Sequence, residues 1–254
     1  MQITFLGTGT SQGIPLIACP CNVCQSGDPN DKRLRTSVLI EHRGKVIVID
    51  TGPDFRAQML REKVKQLDAV VFTHEHKDHT AGFDDIRAFN FINKKKIDVY
   101  ASARVQEAIR REYAYIFSDF KYPGIPEVNL FLLDNEITPI HGIDFLPVEV
   151  LHYKLPVFGF RIEGFTYITD ANYISEEEKE KIKGSKVLVL NALRREPHIS
   201  HFTFDEALKL IAEIKPERAY LTHISHQLGL HADVMKELPE GVELAYDGLK
   251  VKME

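Results

Sequence analysis

The sequence contains no apolar run long enough to cross a membrane as a helix. Its longest apolar stretches, such as residues 186–193, have the length of a strand, whereas a membrane span needs roughly 20 residues. The first residues have the pattern of a strand that leads into a glycine loop, without the basic and apolar regions of a signal peptide. We therefore expect a cytoplasmic protein with no membrane-spanning segment.

The sequence also lacks an excess of positive charge. Lysine and arginine total 32 against 37 acidic residues, which gives a formal net charge of −5. The chain therefore has no general electrostatic attraction for nucleic acid or for an anionic membrane. Hydrophobic residues make up 44% and charged residues 27% of the chain, as in ordinary globular proteins. We expect a folded protein, and the sequence does not distinguish a monomer from a homodimer.

Cysteine is scarce, and neither an internal repeat nor a linker-like segment is present. Without such a linker, residues 1–254 are predicted to form one domain. The three cysteines, Cys19, Cys21 and Cys24, all lie within six residues. An odd number at so tight a spacing does not fit a disulfide framework. The cysteines are therefore predicted to bind a metal.

Strand patterns and helix patterns alternate along the chain. Runs of β-branched and aromatic residues predict strands at residues 3–6, 37–41, 46–49, 69–73, 99–101, 148–151, 165–169, 187–190 and 219–222. Helices are predicted at residues 54–65, 103–111, 175–184 and 203–214, the last two with capping boxes that begin at Ser175 and Thr203. This mixture predicts an α/β protein whose sheets are covered by helices.

Several predicted strands end in a residue that can bind a metal or carry a charge. These residues are Asp50, His74, His152, Asp170 and His223. Ligands of α/β proteins collect at the carboxyl ends of strands, so these side chains are expected to converge on one edge. Taken alone, His152 and Asp170 are weak candidates, because such residues often belong to turns. His141 competes with His152, but its Pro-Ile-His-Gly context predicts a turn between strands.

The segment from His74 to His79, His-Glu-His-Lys-Asp-His, carries the strongest signal for a metal site. Residues two apart in an extended segment point the same way, so His74 and His76 can bind one cation. The chain is then predicted to turn into a helix, which lets Asp78 and His79 reach a second cation. The segment is not the H-E-x-x-H motif of zincins, because Asp78 stands where the second histidine is needed.

This motif, the Asp50-x-Gly52 loop before it and the isolated His, Asp and His residues after it resemble the metallo-β-lactamase superfamily. The resemblance implies an α/β fold built as a four-layer αββα sandwich, with a dinuclear metal site on one edge. It also implies a set of ligands, in which one metal is bound by His74, His76 and His152, the other by Asp78, His79 and His223, and Asp170 bridges them.

A second resemblance concerns the two ends of the chain. Gly7-Thr8-Gly9, the later Gln12-Gly13-x-Pro15, the Cys-x-Cys-x-x-Cys run and the Thr-His-Ile-Ser-His-Gln segment at 222–227 resemble the PhnP-type branch, the phosphoribosyl cyclic phosphate phosphodiesterases. A closed zinc site needs a fourth ligand beside three thiolates. The resemblance implies that His226 is this ligand and that the zinc ties the cysteine loop to the rim of the active site.

His201 stands two residues before the capping box at Thr203, and the start of a helix favours an anion. The PhnP resemblance implies that a histidine at this place binds phosphate or protonates the leaving oxygen. We therefore assign catalytic roles to His201 and, among the metal ligands, to Asp78.

Two further segments are less informative. The glycine loop at residues 7–13 is not a nucleotide-binding motif, because Gln12 replaces a required glycine and no Gly-Lys pair is present. Residues 113–126 are aromatic and interrupted by proline, and the sequence leaves open whether they form a lid or an irregular loop over the core.

The predicted function is metal-dependent hydrolysis of a small or cyclic phosphodiester. A pair of cations would lower the pKa of a bound water and make hydroxide available at neutral pH. Zinc, manganese and iron all suit a histidine-rich site with carboxylates. Three alternatives stay open: a hydrolase of other esters, thioesters or lactones, a tRNA-processing nuclease, and a non-catalytic scaffold with zinc only at the cysteines. The net negative charge speaks against the nuclease.

Overall fold

The computed structural model describes residues 1–120 and 122–253. Its strands are β1 (Gln2–Gly7), β2 (Ser37–His42), β3 (Lys45–Ile49), β4 (Ala69–Val71), β5 (Ile97–Ala101), β6 (Val128–Leu132), β7 (Thr138–Ile140), β8 (Ile143–His152), β9 (Leu155–Ile162), β10 (Phe165–Ile168), β11 (Val187–Asn191), β12 (Arg218–Thr222), β13 (Val242–Leu244) and β14 (Lys250–Lys252). Its α-helices are α1 (Asn22–Gln25), α2 (Phe55–Arg61), α3 (Lys77–Thr80), α4 (Arg87–Asn93), α5 (Ala103–Glu112), α6 (Ala114–Phe117), α7 (Glu176–Ile182), α8 (Phe204–Ile214) and α9 (His231–Val234). Short 3-10 helices lie at Pro29–Asp31, Phe83–Ile86 and Met235–Glu237.

The chain divides into two compact units. The first unit contains residues 1–6, 37–134 and 248–254, and the second contains residues 7–36 and 135–247. The single domain predicted over residues 1–254 stays a prediction.

A mixed sheet of seven strands, in the order β14-β1-β2-β3-β4-β5-β6, forms the first unit. Strands β3 to β6 run parallel, while β2 pairs with β3 in the antiparallel sense. Apolar side chains of α2, α4 and α5, among them Phe55, Phe89 and Ile109, pack into the core of this unit. Because neighbouring parallel strands end at the same edge, the segments that follow β3 and β4 lie side by side.

A second mixed sheet of seven strands, in the order β13-β12-β11-β10-β9-β8-β7, forms the second unit. Strands β10 to β13 run parallel. Strand β8 is antiparallel to β9, which is antiparallel to β10, so β8 and β10 run in the same direction. The carboxyl ends of β8, β10, β11 and β12 therefore share one edge of this sheet.

Helix α8 buries Phe204, Ala207, Leu210, Ile211 and Ile214, the spacing of a helix with one apolar face.

The α/β fold with mixed sheets flanked by helices is confirmed, and so are the predicted strands and helices apart from their limits. Helix α2 ends at Arg61 rather than at 65, because Lys63 adopts a left-handed conformation (φ 55°) that ends the helix. The capping box predicted at Ser175 is wrong. Ser175 accepts the amide of Glu178, but the Glu178 carboxylate accepts from the amide of Glu149 instead of returning to Ser175.

Five strands were not predicted from the sequence. Strands β6, β7, β13 and β14 are short edge strands of three to five residues. Strand β9 contains Pro156 and Gly159, residues that weaken a strand pattern. Within residues 1–120 and 122–253, no helix has both the length and the apolar character that crossing a bilayer requires.

Candidate metal centres

The first unit brings the four predicted ligands of the His74–His79 segment together. His74 lies in the segment after β4, His76 is the N-cap of α3 and has an extended backbone, and His79 lies within that helix. The Nε2 atom of His74 lies 3.0 Å from Nδ1 of His76. The Nε2 atom of His79 lies 3.2 Å from a carboxylate oxygen of Asp78. The strand-to-turn-to-helix course predicted for this segment therefore gathers its four side chains.

Asp50, at the end of β3, fixes the orientation of the ligands in this cluster. One carboxylate oxygen accepts the amide of Thr73 (2.9 Å), and the other accepts the Thr73 hydroxyl (2.8 Å) and Nδ1 of His79 (2.7 Å). The Thr73 hydroxyl oxygen lies 3.0 Å from Nδ1 of His74. Nδ1 of His74 and of His79 therefore carries the proton, and Nε2 of each ring carries the lone pair. Residues next to a metal site commonly orient its histidine ligands by hydrogen bonds of this kind. Burial raises the pKa of Asp50, against the hydrogen bonds from His79 and Thr73.

The backbone around Asp50 is held in an unusual conformation. Asp50 has a left-handed φ of 65°, which few residues other than glycine adopt. The amide of Thr51 donates to the carbonyl of His79 (2.7 Å), and the amide of Gly82 donates to the carbonyl of Thr51 (2.8 Å). A Cβ atom on Gly82 would lie 2.2 Å from the carbonyl oxygen of Gly52. Only glycine at position 82 lets helix α3 approach this loop so closely.

The second unit gathers His152, Asp170 and His223 at the shared carboxyl edge of β8, β10 and β12. Nδ1 of His223 lies 3.1 Å from one oxygen of Asp170, and Nε2 of His152 lies 4.0 Å from the other. Nδ1 of His152 donates to the carbonyl oxygen of Ser200 (2.8 Å), so Nε2 of the neutral ring carries the lone pair. All three side chains are buried. Asp170 (φ 52°) and His223 (φ 54°) are both left-handed, so strained backbone again coincides with candidate ligands.

Asn191, the last residue of β11, supports the strained turn at Asp170. Its side-chain oxygen accepts the amide of Ala171, and its side-chain nitrogen donates to the carbonyl of Ala171, each at 3.0 Å. The same carbonyl accepts the amide of Phe202 (2.7 Å). One amide side chain therefore holds the backbone next to Asp170 and, through it, the segment that carries His201.

His201 lies in the second unit among three other histidines. Its ring centroid lies 4.6 Å from that of His152, 4.7 Å from that of His223 and 5.2 Å from that of His198. Burial and, to a lesser extent, the nearby His223 together lower the pKa of His201 to about 2, while Asp170 opposes the shift. Within the described part of the chain, Nδ1 of His201 is buried without a hydrogen-bond partner. Such an atom indicates a group that binds beside it.

The three cysteines and His226 form a separate cluster in the second unit. One ligand atom from each of the four residues lies within 4.8 Å of the others. Nδ1 of His226 lies 3.5 Å from the sulfur of Cys19 and 3.3 Å from that of Cys21. The backbone amide of Cys24 and the His226 side chain lower the pKa of Cys21 to about 6. The fourth residue that the PhnP resemblance implies is therefore next to the cysteines.

Both kinds of cluster fit divalent cations by their donor atoms. Around a tetrahedral zinc ion, two nitrogens lie roughly 3.3 Å apart and a sulfur and a nitrogen about 3.5 Å apart. The 3.0 Å pair of His74 and His76 and the pairs that His226 makes with the cysteines are close to these values. The Nε2 lone pair of His79 and the Asp78 carboxylate face each other at 3.2 Å, an arrangement that a proton or a cation must stabilise.

His141 and the segment 113–126 do not belong to the clusters described above. His141 lies with Gly142 in the tight turn between β7 and β8, as its context predicts. Of the segment 113–126, Tyr113 donates to the carbonyl of Thr80 (2.8 Å), and Lys121 lies outside the described residues. Whether this segment is a lid stays open.

Sequence reasoning missed the residues that orient the ligands. The sequence places Asp50 at a strand end and in the Asp50-x-Gly52 loop without giving it this role, and it does not distinguish Thr73, Asn191 or Ser200. For Asp50, the signal was its place at the end of a strand beside that of His74. For Asn191, the signal was a polar residue at the end of the fully buried strand β11. Ser200 contributes a backbone carbonyl, which leaves no signal in a side chain.

Comparison with known proteins agrees with this geometry. A family model described as a beta-lactamase superfamily domain matches residues 45–224. The crystal structure of a new diphosphatase from the PhnP family matches with a TM-score of 0.94 and 38% identity, over 100% of this chain and 98% of that chain. An octanoyltransferase of Porphyromonas gingivalis is 39% identical over 98% of this chain and 51% of its own length.

A ribonuclease Z of Nostoc punctiforme is 28% identical over 64% of this chain and 46% of its own length. The chain thus spans about half the length of these two curated relatives. The family model matches most of the chain, and the PhnP-family structure matches it from end to end. These two matches establish the family of the chain. The chain therefore belongs to the beta-lactamase superfamily of metal-dependent hydrolases and, within it, to the PhnP family.

Proposed function

We propose that the chain is a dinuclear metal-dependent phosphodiesterase that acts on small or cyclic phosphodiesters. The observation that carries the proposal is the hydrogen bonding of the histidine and carboxylate clusters, in which contacts at Nδ1 of His74, His79 and His152 put the lone pair of each neutral ring on Nε2. Such preparation of ligand atoms is what a metal site needs and a purely structural cluster does not. Membership in the PhnP family favours phosphate esters among the substrates of the superfamily.

The proposed ligands are those that the metallo-β-lactamase resemblance implies. His74, His76 and His152 would bind one divalent cation, Asp78, His79 and His223 the other, and Asp170 would bridge them. Zinc, manganese and iron all suit this mixture of imidazole and carboxylate ligands. When bound, the cations would supply a hydroxide nucleophile near neutral pH and neutralise charge on the phosphate. Asp78 is thereby assigned to the catalytic machinery as a ligand.

His201 is proposed to bind the phosphate group. Its Nδ1 atom is buried without a hydrogen-bond partner among the described residues. It also lies just before the N-cap Thr203 of α8, a helix start that favours negative charge. A neutral histidine here can donate a hydrogen bond to a phosphate oxygen, or to the leaving oxygen as negative charge develops on it. No serine or cysteine nucleophile is required.

We propose that one structural zinc ion binds to Cys19, Cys21, Cys24 and His226. A closed site of three cysteines and one histidine is typical of structural zinc. A hydrogen bond already connects the segment before the cysteines to the segment of His223, because the amide of Ile224 donates to the carbonyl of Thr8 (2.9 Å). Zinc would fix this loop beside the segment of His223.

The decisive experiment measures hydrolysis of bis(p-nitrophenyl) phosphate by purified protein reconstituted with zinc or manganese. We expect the His76→Ala variant to lose activity by a factor of at least 100, because it removes a ligand. His141→Asn, in the turn between β7 and β8, is the matched control and should keep full activity. Activity that survives in His76→Ala would contradict the proposal.

A second candidate is hydrolysis of an acyl ester or thioester. The observation in its favour is the 39% identity to a protein named octanoyltransferase. The same metal-bound machinery can attack a carbonyl carbon, so a panel of thioesters and lactones beside the phosphodiester separates the two. Higher kcat/KM for the acyl substrates would replace the phosphodiesterase proposal.

The resemblance to ribonuclease Z raises RNA as a third substrate. The formal net charge of −5 opposes it, because binding of RNA is driven by neutralisation of phosphates. Cleavage of precursor tRNA, with binding that weakens steeply as salt rises, would favour the nuclease. Zinc at the cysteines without activity on any substrate would favour a scaffold. The cytoplasmic location and the monomeric or homodimeric state stay predictions.

A further inference from the structure

The loop between β11 and α8, residues 194–201, is held by hydrogen bonds within the second unit. Its base is closed by the amide of Leu193 donating to the carbonyl of Phe202 (3.0 Å) and by the amide of Phe204 donating to the carbonyl of Arg194 (3.0 Å). The Arg194 guanidinium donates to the carbonyls of Glu196 (3.2 Å) and Pro197 (2.8 Å) within the loop. Backbone held this firmly is typical of a loop that binds a ligand in fixed geometry.

His198 follows directly after this braced backbone. Its Nδ1 atom lies 3.4 Å from the backbone nitrogen of Ser200 and 3.2 Å from the Ser200 hydroxyl. A backbone N–H can only donate, so Nδ1 of His198 must carry the lone pair. In the neutral ring the proton is then on Nε2, which makes His198 a hydrogen-bond donor at that atom.

The position of His198 relates it to the rest of the site. Its ring packs on that of His201 at 5.2 Å between centroids and 37° between planes. The Ser200 residue that fixes the His198 ring also accepts Nδ1 of His152 through its carbonyl. His201 is buried, whereas His198 is half-buried, so His198 is the outer member of the pair.

From this arrangement we infer that His198 is a further substrate-binding residue, which donates from Nε2 to an oxygen of the phosphodiester beside His201. The inference rests on the proposed function for its substrate class. A neutral donor on a braced loop binds an anionic oxygen without the cost of ordering a flexible side chain. Its contact exists before and during the reaction, so it contributes to KM rather than to kcat.

The first test compares steady-state kinetics on bis(p-nitrophenyl) phosphate for the wild type, His198→Ala and His198→Gln. Loss of a hydrogen bond to a charged oxygen should raise KM roughly tenfold or more in His198→Ala, with kcat within about threefold. His198→Gln keeps an N–H near the place of Nε2 and should recover most of the loss. Ile199→Ala, at the exposed neighbouring residue, is the control and should leave both constants unchanged.

A purely structural role for His198 predicts a different pattern. If His198 only packs against His201, His198→Gln should be no better than His198→Ala, and this outcome would overturn the inference. Equal KM in His198→Ala and the wild type would overturn it as well. Metal content of each variant, measured by elemental analysis, should stay at the wild-type value.

The second test does not depend on activity. In protein labelled with nitrogen-15 at histidine, the NMR spectrum should show His198 as the Nε2–H tautomer, and Ser200→Ala should shift it toward a mixture. An Nδ1–H tautomer in the wild type would contradict the inference. If the metal-loaded wild type cleaves no phosphodiester, the proposed function fails, but titration with inorganic phosphate still tests His198. Its dissociation constant should rise roughly tenfold in His198→Ala, and an unchanged constant would refute the role.

Discussion

Replacing Asp50 with asparagine should weaken metal binding although Asp50 binds no metal itself. Its carboxylate is fully buried and accepts three hydrogen bonds, from the amide and hydroxyl of Thr73 and from Nδ1 of His79. In the Asp50→Asn variant the amide oxygen can still accept the Thr73 amide. The amide nitrogen then faces Nδ1 of His79, and two donors cannot share that contact. His79 must move its proton to Nε2, the atom proposed to bind the cation.

The size of the effect follows from these contacts. A hydrogen bond to a charged group contributes about 1.5–3 kcal/mol, and 1.4 kcal/mol corresponds to about a tenfold change in binding. Loss of the His79 contact alone should therefore weaken binding by about 10- to 150-fold. Effects of residues that orient metal ligands are generally about 10- to 100-fold. The hydroxyl of Thr73 adds to the loss, because it connects Asp50 to His74.

The assay is calorimetric titration of metal-free protein with zinc and with manganese. Asp144→Asn, at an exposed position of β8, is the matched control and should bind as the wild type does. Circular dichroism checks that the Asp50→Asn variant is folded. If folded Asp50→Asn binds both metals with wild-type affinity, the idea that Asp50 sets the tautomers of the ligands is wrong.

Three further outcomes are expected. Cys21→Ser should lower the zinc content by one ion per chain, measured by elemental analysis, while His76→Ala should leave this zinc in place. Gly82→Ala should lower the melting temperature and the metal content together, because the new Cβ atom would lie 2.2 Å from a backbone oxygen; unchanged values would show that the loop can shift freely. Burial raises the pKa of Asp68, but hydrogen bonds led by that from Lys95 outweigh it, so that the pKa is lowered. The resulting stability is present above about pH 4, the pKa of an unfolded aspartate, and is lost as the pH falls through the folded value. Asp68→Asn should thus cost about 1–3 kcal/mol at pH 7 in urea unfolding, and the difference from the wild type should shrink below about pH 4; a constant difference would contradict the assignment.

The elements that the sequence predicted well are those whose signal is local. Strand β11 is a continuous buried run, and helix α8 repeats apolar residues along one face. The Thr203 capping box is present as predicted. The failed capping box at Ser175 shows the limit of such motifs. Its Glu178 carboxylate binds the amide of Glu149 on a different element, and tertiary contacts of this kind outweigh a local pattern.

The candidate ligands could be predicted for a similar reason. His74 and His76 are two residues apart on an extended segment, and their side-chain nitrogens lie 3.0 Å apart. Asp170 and His223 are distant in sequence, but each follows a strand of the parallel part of one sheet. Ligand positions therefore follow from the periodicity of strands and from the direction in which they run.

The hydrogen bonds that prepare the ligands could not be predicted in this way. The Asn191 side chain binds backbone atoms of Ala171, and Ser200 holds His152 through a backbone carbonyl, a group that every residue type possesses. Asp50 has the side chain of a potential ligand, but it accepts a hydrogen bond from Nδ1 of His79, the ring nitrogen that is not proposed to bind the cation. A chain could therefore keep all its predicted ligands and still bind metal poorly, if Asp50 or Asn191 were replaced. Sequence motifs indicate which atoms can meet a cation, whereas buried residues outside the motifs decide whether those atoms carry a lone pair or a proton.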